Sequence, residues 1–340
     1  MNTPANLKLQ RSSDRFFTLA EQALQHWPIQ VSALNLIKHR ENAVFAVTTG
    51  DGEQYALRVH RAGYHTAEEL QSELQWMQAL DAAGLHTATV IPSADGALFH
   101  RVRADEQNQE ILCDLLAWVD GKPLGTIEDG VNEDTTSIER TFRIIGATAA
   151  RLHNHAEHWT PPAGFRRHAW DIGGIVGENP FWGRYWKNRL LTSERKSLLL
   201  RAGERLAVAL QEFGQTPDRY GLIHADFLPE NFLVDGDRIT LIDFDDAGYG
   251  WHLFDFATTL FFHLGESHFD LIRDSMVDGY RDHRELPDAH LDMLTTFLLA
   301  RGLTYVGWLH TRRETETALE IGPLVVDSVC ELAEDFLANV

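Results

Sequence analysis

The chain has 340 residues, 44% of them hydrophobic, enough for a sizeable core and long enough to favour two domains over one. With 50 acidic against 30 basic side chains its formal charge is −20, which excludes the overall basic footprint of a nucleic-acid binder and repels an anionic membrane surface. Two cysteines, Cys113 and Cys330, give no basis for a disulfide framework or a thiolate metal site. No segment reaches the ~18 continuous apolar residues of a membrane span and the N-terminus has no apolar signal core, so a cytoplasmic protein is expected.

In chain order, a short helix is expected over residues 14–25, followed by strands over 43–48 and 53–60 joined through "TGDGEQ", which supplies the Gly and Asp of a hairpin turn. Thr66 and Glu69 form a capping box; Leu70, Leu74, Met77 and Leu80 then recur at helical spacing until Gly84. Strands over 98–102 and 110–117 complete a β-β-α-β-β lobe. Gly121 and Pro123 break the pattern near Asp120, which sets expected domains of 1–120 and 121–340. Beyond them Phe142, Ile145, Ala149 and Leu152 share one face of a helix ending near His153. Residues 156–188 read as irregular and aromatic, with Trp170, Phe181, Trp182, Tyr185 and Trp186. Helical spacing returns over 193–213, short strands are expected over 232–234 and 238–242, and the chain reads as helical from Phe254 onward. The fold class is α+β.

The stretch "GLIHADFLPENFLVDGDRITLIDFDDAG", residues 221–248, carries the densest chemistry. Asp226 and Asn231 lie five residues apart at the ends of a loop containing Pro229, and Asp243 closes the second strand. A hairpin brings its two ends together, so Asn231 and Asp243 should converge, and two oxygen ligands there suit Mg²⁺. Asp226, a loop-width away, is placed to take the proton of a hydroxyl attacking a phosphate on that metal. A single Asp at a strand end is ordinarily a turn residue. Three such groups at this spacing, each beside an apolar run, favour chemistry. In the first lobe, alternation puts Ala56 and Arg58 opposite Leu57, while Glu73 falls inside the apolar stripe of its helix. A buried acid demands a partner, and Arg58 is the cation on the nearby strand. An Arg58–Glu73 pair with Arg58 reaching phosphates is what a nucleotide site needs; an ordinary helix–sheet salt bridge gives the same pattern.

Together these residues resemble the protein-kinase-like fold, and within it the aminoglycoside phosphotransferase and choline kinase family. "HADFLPEN" resembles its H-x-D-x-x-x-x-N catalytic loop, "LIDFDDAG" its metal-binding segment, and "YALRVHR" its lysine-bearing third strand. "SELQWMQAL" resembles the helix with the partner glutamate, "LLAWVDGKPL" the hinge, "IGATAARLHNH" the helix leading to the catalytic region, and "LFDFATTL" the helix whose Asp braces the loop. The resemblance implies a bilobal fold, with a small mixed β-sheet N-lobe bearing one main helix and a larger, mainly helical C-lobe. It implies a kinase that uses ATP and Mg²⁺ to phosphorylate a hydroxyl. By position it makes Asp226 the catalytic base, Asn231 and Asp243 the Mg²⁺ ligands, and Asp255 a brace, with His224 a packing and hydrogen-bonding support. It sets Arg58, Glu73, Asn42 and Ala117 at the nucleotide. Two departures stand out. Arg58 replaces the usual Lys, bringing a planar fork in place of a point charge. "KHRENAVFAV" occupies the place of a Gly-rich phosphate loop, so that backbone N–H groups near Lys38, His39, Arg40 and Asn42 are the candidates for phosphate contact.

The segments "FRRHAWDIGGIVGENPFWGRYW" and "RGLTYVGWLHTRRETETALE" most resemble bacterial members of the type II homoserine kinase and hydroxylysine kinase kind. The expected acceptor is a small cationic or zwitterionic molecule: an amino alcohol, a hydroxy amino acid such as homoserine, or an aminoglycoside. Neither nucleic acid nor membrane is an expected partner. Trp182, Trp251 and Trp308 are candidates for an aromatic wall around an amine, although core packing explains any one of them equally well. Asp245 is expected to back the metal or touch the acceptor. A Ser/Thr protein kinase is a second reading, opposed by the short passage from Asp243 to the helix of Asp255. A nucleotide-binding pseudokinase is a third, suggested by Arg58 and opposed by the intact Asp226, Asn231 and Asp243.

Overall fold

The computed structural model describes residues 15–39, 42–104, 109–125 and 134–339, so Asp14, Arg40 and most of the turn before residue 110 fall outside the described residues. Helix α1 (residues 15–24) leads into strands β1 (Val31–His39), β2 (Ala43–Thr49) and β3 (Gln54–Val59). Helix α2 (Ala67–Ala82), strands β4 (Phe99–Ala104), β5 (Gln109–Ala117) and β6 (Lys122–Pro123), and helix α3 (Thr135–His158) follow. Then come β7 (Ala169–Trp170), α4 (Ile172–Val176), α5 (Ser193–Phe213), β8 (Tyr220–Ile223), β9 (Phe232–Asp235), β10 (Arg238–Leu241) and β11 (Gly248–Trp251). The chain ends in α6 (His252–Leu260), α7 (Phe269–Arg281), α8 (Asp288–Leu291), α9 (Leu294–Thr311) and α10 (Glu316–Ala338). Two units result. The first takes the described residues up to Lys122 with Pro161–Arg166 and Leu233–Ile242, and the second takes the remainder.

The first unit is built on an antiparallel sheet in the order β1-β2-β3-β5-β4. Period-two alternation sends Phe45 and Val47 of β2, Leu57 and Val59 of β3, and Cys113 and Leu115 of β5 into one core with Leu19, Ala23 and Trp27. Burying each large apolar side chain contributes roughly 1.5–3 kcal/mol. The capping box opens α2: Glu69 N–H donates to Thr66 Oγ1 and Thr66 N–H to Glu69 Oε2, at 3.2 and 2.8 Å. Strand β1 was not expected from the sequence. It is an edge strand exposed at all but Leu34 and Leu36, so burial marks its alternation at only two positions. The β9–β10 hairpin joins this unit because Leu241 N–H donates to the His86 carbonyl and Leu241 bridges to Thr87.

The second unit is mainly helical. Helices α3 and α7 cross at two glycines: a Cβ on Gly146 would lie 1.9 Å from the Met276 carbonyl oxygen, and one on Gly279 2.0 Å from that of Arg143. Backbone is on the receiving side of both contacts, so no side chain can yield. Gly146→Ala is therefore expected to lower stability by about 3 kcal/mol, read as the midpoint of urea unfolding; an unchanged midpoint would refute the close crossing. Helix α3 also runs a turn past His153, which is buried within it. Strands β7, β8 and β11 form a small sheet in which β11 runs parallel to β7 and antiparallel to β8. Each has two to four residues, too few for periodicity to reveal. Helix α9 is buried without interruption from Thr296 to Gly307, so it has no polar face. Among the described residues, no helix is long and apolar enough to cross a membrane.

Candidate active site

In the first unit, strand pairing sets Arg58 of β3 directly opposite Asp114 of β5. The expected Arg58–Glu73 pair is formed, Nη1 to Oε1 at 2.9 Å. Sequence reasoning missed the stronger half of the arrangement. Arg58 Nε and Nη2 donate to the two oxygens of Asp114 at 2.9 and 3.1 Å, and His60 Nε2 bonds to Asp114 as well. All four side chains are buried. Burial acts to raise the Asp114 carboxyl, but the charges of Arg58 and His60 outweigh it and hold the group below the usual carboxylate range. The fork explains the departure from Lys. A guanidinium grips one carboxylate with two donors and a second acid with a third, which a point-like ammonium cannot do in this geometry. The missed signal was an acid inside the apolar run "ILCDLLA", paired across the sheet with a cation.

Two further residues expected at the nucleotide are tied elsewhere. Asn42 is buried, and its Oδ1 accepts from Arg61 N–H at 3.1 Å, which fixes the start of β2. Ala117 donates its N–H to the Thr89 carbonyl at 2.8 Å, so that amide is withdrawn from any base.

In the second unit, β8 delivers the chain to a turn at His224–Asp226. Ala225 has φ 61°, a left-handed backbone that costs a non-glycine residue about 1 kcal/mol or more. Asp255, in the first turn of α6, holds it there. Its carboxylate accepts Ala225 N–H at 2.7 Å and His224 N–H at 3.2 Å, and His153 Nε2 lies 3.0 Å from its Oδ2. His224 packs edge-on against Phe227 and Phe244, and its Nδ1 accepts Asp226 N–H. The short helical turn Pro229–Asn231 then returns Asn231 to the loop's origin, where Nδ2 donates to Asp226 O at 2.9 Å and to Asp226 Oδ2 at 2.8 Å.

Asp226 is half-buried, and its other oxygen, Oδ1, lies 3.5 Å from Arg301 Nη2. Burial and the charge of Asp246, opposed by Arg301, with a further push from Asp243, raise its carboxyl above the ordinary carboxylate range. Asp243 is exposed and also left-handed, at φ 66°. The carbonyls just after it are fastened by residues 167–170. Arg167 donates to the carbonyls of Phe244, Asp245 and Ala247, while Trp170 Nε1 and His168 Nε2 both meet that of Asp246. In the sequence this segment shows aromatic residues; its role as a backbone clamp comes from polar ends that no periodicity reports.

Residues 34–290 match the phosphotransferase enzyme family. The chain belongs to that family. A solved microcompartment-associated aminopropanol kinase is 35% identical, with a TM-score of 0.83 over 95% of this chain and 98% of that one. The amicoumacin kinase of Bacillus subtilis is 23% identical over 310 residues, 88% of this chain and 86% of its own. The structure of amicoumacin kinase hAmiN in complex with AMP-PNP, Ca²⁺ and Ami is 21% identical, with a TM-score of 0.76 over 95% of this chain and 96% of that one. The fold is thus the protein-kinase-like fold, and the protein is a phosphotransferase acting on hydroxyl groups.

Of the three tryptophans expected around an amine acceptor, Trp251 and Trp182 are buried and Trp308 is half-buried. Trp251 is wholly buried, with Nε1 donating to the Gly214 carbonyl, so it is a core residue. Trp182 is 5% exposed and its face already carries the Arg301 guanidinium at 4.4 Å. Trp308 is half-buried, with the Arg312 guanidinium 5.2 Å from its ring centre. Asp245 is buried. In each case aromaticity or charge was legible in the sequence, and the direction in which the side chain faces was not.

The brace beneath the loop makes the phosphotransferase acid-sensitive. Burial holds His153 and His252, stacked 4.2 Å apart, well below the ordinary imidazole value, and the Arg284 charge adds to this for both. The unfolded chain takes up both protons below about 6.5 and the fold does not, so stability falls as pH drops through that value. Asp255 works in the opposite sense. Burial raises it to about 6 despite its hydrogen bonds, so the fold binds that proton before the unfolded chain does. The two buried imidazoles thus weaken the fold below about pH 6.5, and Asp255 offsets part of that loss. NMR titration of the folded protein should find both imidazoles still neutral at about pH 6; protonation of either at its ordinary value contradicts their burial.

Proposed function

We propose that the protein uses ATP and Mg²⁺ to phosphorylate the hydroxyl of a small amine-bearing alcohol, with an aminopropanol-like amino alcohol as the favoured acceptor. One observation carries the acceptor class. The Asp226 carboxylate lies within the fields of Asp243 and Asp246, and Arg301 is the cation set against them. That excess of negative charge favours an ammonium over a neutral or anionic acceptor. The 35% identity to an aminopropanol kinase along nearly the whole chain supports the same choice.

Asp226 is assigned as the base. The acceptor oxygen bonds to the γ-phosphorus, the bond from that phosphorus to the ADP oxygen breaks with its electron pair, and the hydroxyl proton passes to the Asp226 carboxylate. The residues assigned to Mg²⁺ suit a hard cation. Asn231 commits its Nδ2 to Asp226, which leaves the amide oxygen as its ligating atom, and Asp243 offers an exposed carboxylate. The bound metal would neutralise charge on the phosphates. In the first unit Arg58, held by Glu73 and Asp114, is assigned to the nucleotide. A cytoplasmic setting fits the two buried free thiols, Cys113 and Cys330.

The test is ADP release from MgATP across a panel of amino alcohols, homoserine, aminoglycosides, an amine-free diol and protein substrates. Stimulation by 1-amino-2-propanol or a near analogue, and none by the diol, is the expected result. Preference for homoserine or an aminoglycoside reassigns the acceptor. Label confined to protein, or nucleotide binding without turnover, overturns the proposal.

A further inference from the structure

Arg301 occupies the middle of the buried stretch of α9, and its side chain has no exposed surface. The guanidinium lies 4.4 Å from the centre of the Trp182 ring, 4.3 Å from that of Tyr305 and 5.3 Å from that of Phe254. Nη2 donates to the Tyr305 hydroxyl at 3.0 Å and stands 3.5 Å from Asp226 Oδ1, while Nε and Nη1 have no hydrogen-bond partner among the described residues. Among the described residues, Asp226 is the acid within ion-pair distance of this cation.

Such an arrangement is a poor way to stabilise a fold. A cation taken out of water with two donors unsatisfied carries a desolvation penalty that a hydrophobic residue of similar volume avoids, and the aromatic slot would accept that residue equally well. What the apolar substitute cannot do is hold a carboxylate oxygen. Asn231 already holds Oδ2 from the loop. Arg301 meets Oδ1 from a different element, and the stacked rings fix the guanidinium plane. A second tie runs outward from the same slot, because Trp182 Nε1 donates to Asp246 Oδ1 at 3.1 Å.

We propose that Arg301 is a positioning residue for phosphoryl transfer: with Asn231 it clamps the Asp226 carboxylate, one group on each oxygen, so that it meets the acceptor hydroxyl in a single orientation. The inference rests on Asp226 being the base, and the test separates the two. Arg301→Met fills the slot without charge or donors, and Arg301→Lys keeps the charge without the fork. With MgATP and 1-amino-2-propanol, Arg301→Met is expected to lower kcat by about 10²-fold. The KM for MgATP should stay within about twofold, and the melting midpoint is read alongside because the substitution leaves Asp226 without its counter-charge. Arg301→Lys is expected to recover about tenfold of the loss. In an Asp226→Asn background, Arg301→Met should cause no further loss, because the group it positions is gone.

A kcat for Arg301→Met within about threefold of the parent overturns the clamp, as does a full, independent loss in the Asp226→Asn background. Should Arg301→Met fail to fold, Arg301→Lys decides: kcat at the parent level with the midpoint retained overturns it. Full turnover by Asp226→Asn alone defeats the assignment of the base; loss there with an unaffected Arg301→Met defeats only the clamp.

Discussion

Asp226→Asn is expected to lower kcat by about 10³-fold while MgATP binds with unchanged affinity. The substitution is chosen for what it preserves. An asparagine has the shape of the aspartate, and its carbonyl oxygen can still accept from Asn231 Nδ2, which now donates to Asp226 Oδ2 at 2.8 Å. The left-handed turn at Ala225 is held from outside, by Asp255, so the loop does not depend on the residue being changed. Only the capacity to take a proton disappears. Stability should change little, since the loss of the ion pair with Arg301 is set against relief from the neighbouring Asp246 and Asp243 charges. Single-turnover phosphorylation with the best acceptor of the panel is the measurement. A rate within tenfold of the parent would remove Asp226 from the chemistry and leave it a structural member of the loop.

The sequence made some of this site visible because spacing and pattern constrain it. Asp226 and Asn231 sit at the two ends of a loop that Pro229 bends, and their hydrogen bonds follow from that short closure. Glu73 was legible as an acid inside an apolar helical stripe, and its partner Arg58 by the demand that a buried acid be paired. Asp114 obeys the same logic one strand further on, but a strand covered on both faces reads as a continuous apolar run, and one acid within it announces no direction. Arg301 also carries a signal in the sequence. A helix apolar on every side has no water-facing stripe on which to place a charge, so its arginine must be inside and must have a reason to be there. The tryptophans were ambiguous for the opposite cause: ring chemistry is equally suited to core and pocket, and only the fold decides between them. Strand β1 was invisible because only Leu34 and Leu36 turn toward the core, too few positions for a period to stand out.

Asp243→Asn is expected to raise the Mg²⁺ concentration for half-maximal turnover by about tenfold or more, with much of kcat recovered at saturating metal. The exchange of a carboxylate for an amide keeps a hard oxygen at the position but removes the formal charge that draws a dication. Asn is preferred to Ala because the residue stands at φ 66°. Asn adopts that backbone readily, whereas Ala would add strain of about 1 kcal/mol and confuse a metal effect with a folding one. The segment that follows should stay in place, since its carbonyls are gripped by Arg167, His168 and Trp170 rather than by Asp243. The contrast with Asp226 is the discriminating feature. Added metal should rescue Asp243→Asn and leave Asp226→Asn inactive, because only the first substitution weakens the hold on the ion. If both variants respond alike to Mg²⁺, or if Asp243→Asn shows the parent's metal dependence, the division of labour between the ligand and the base is wrong.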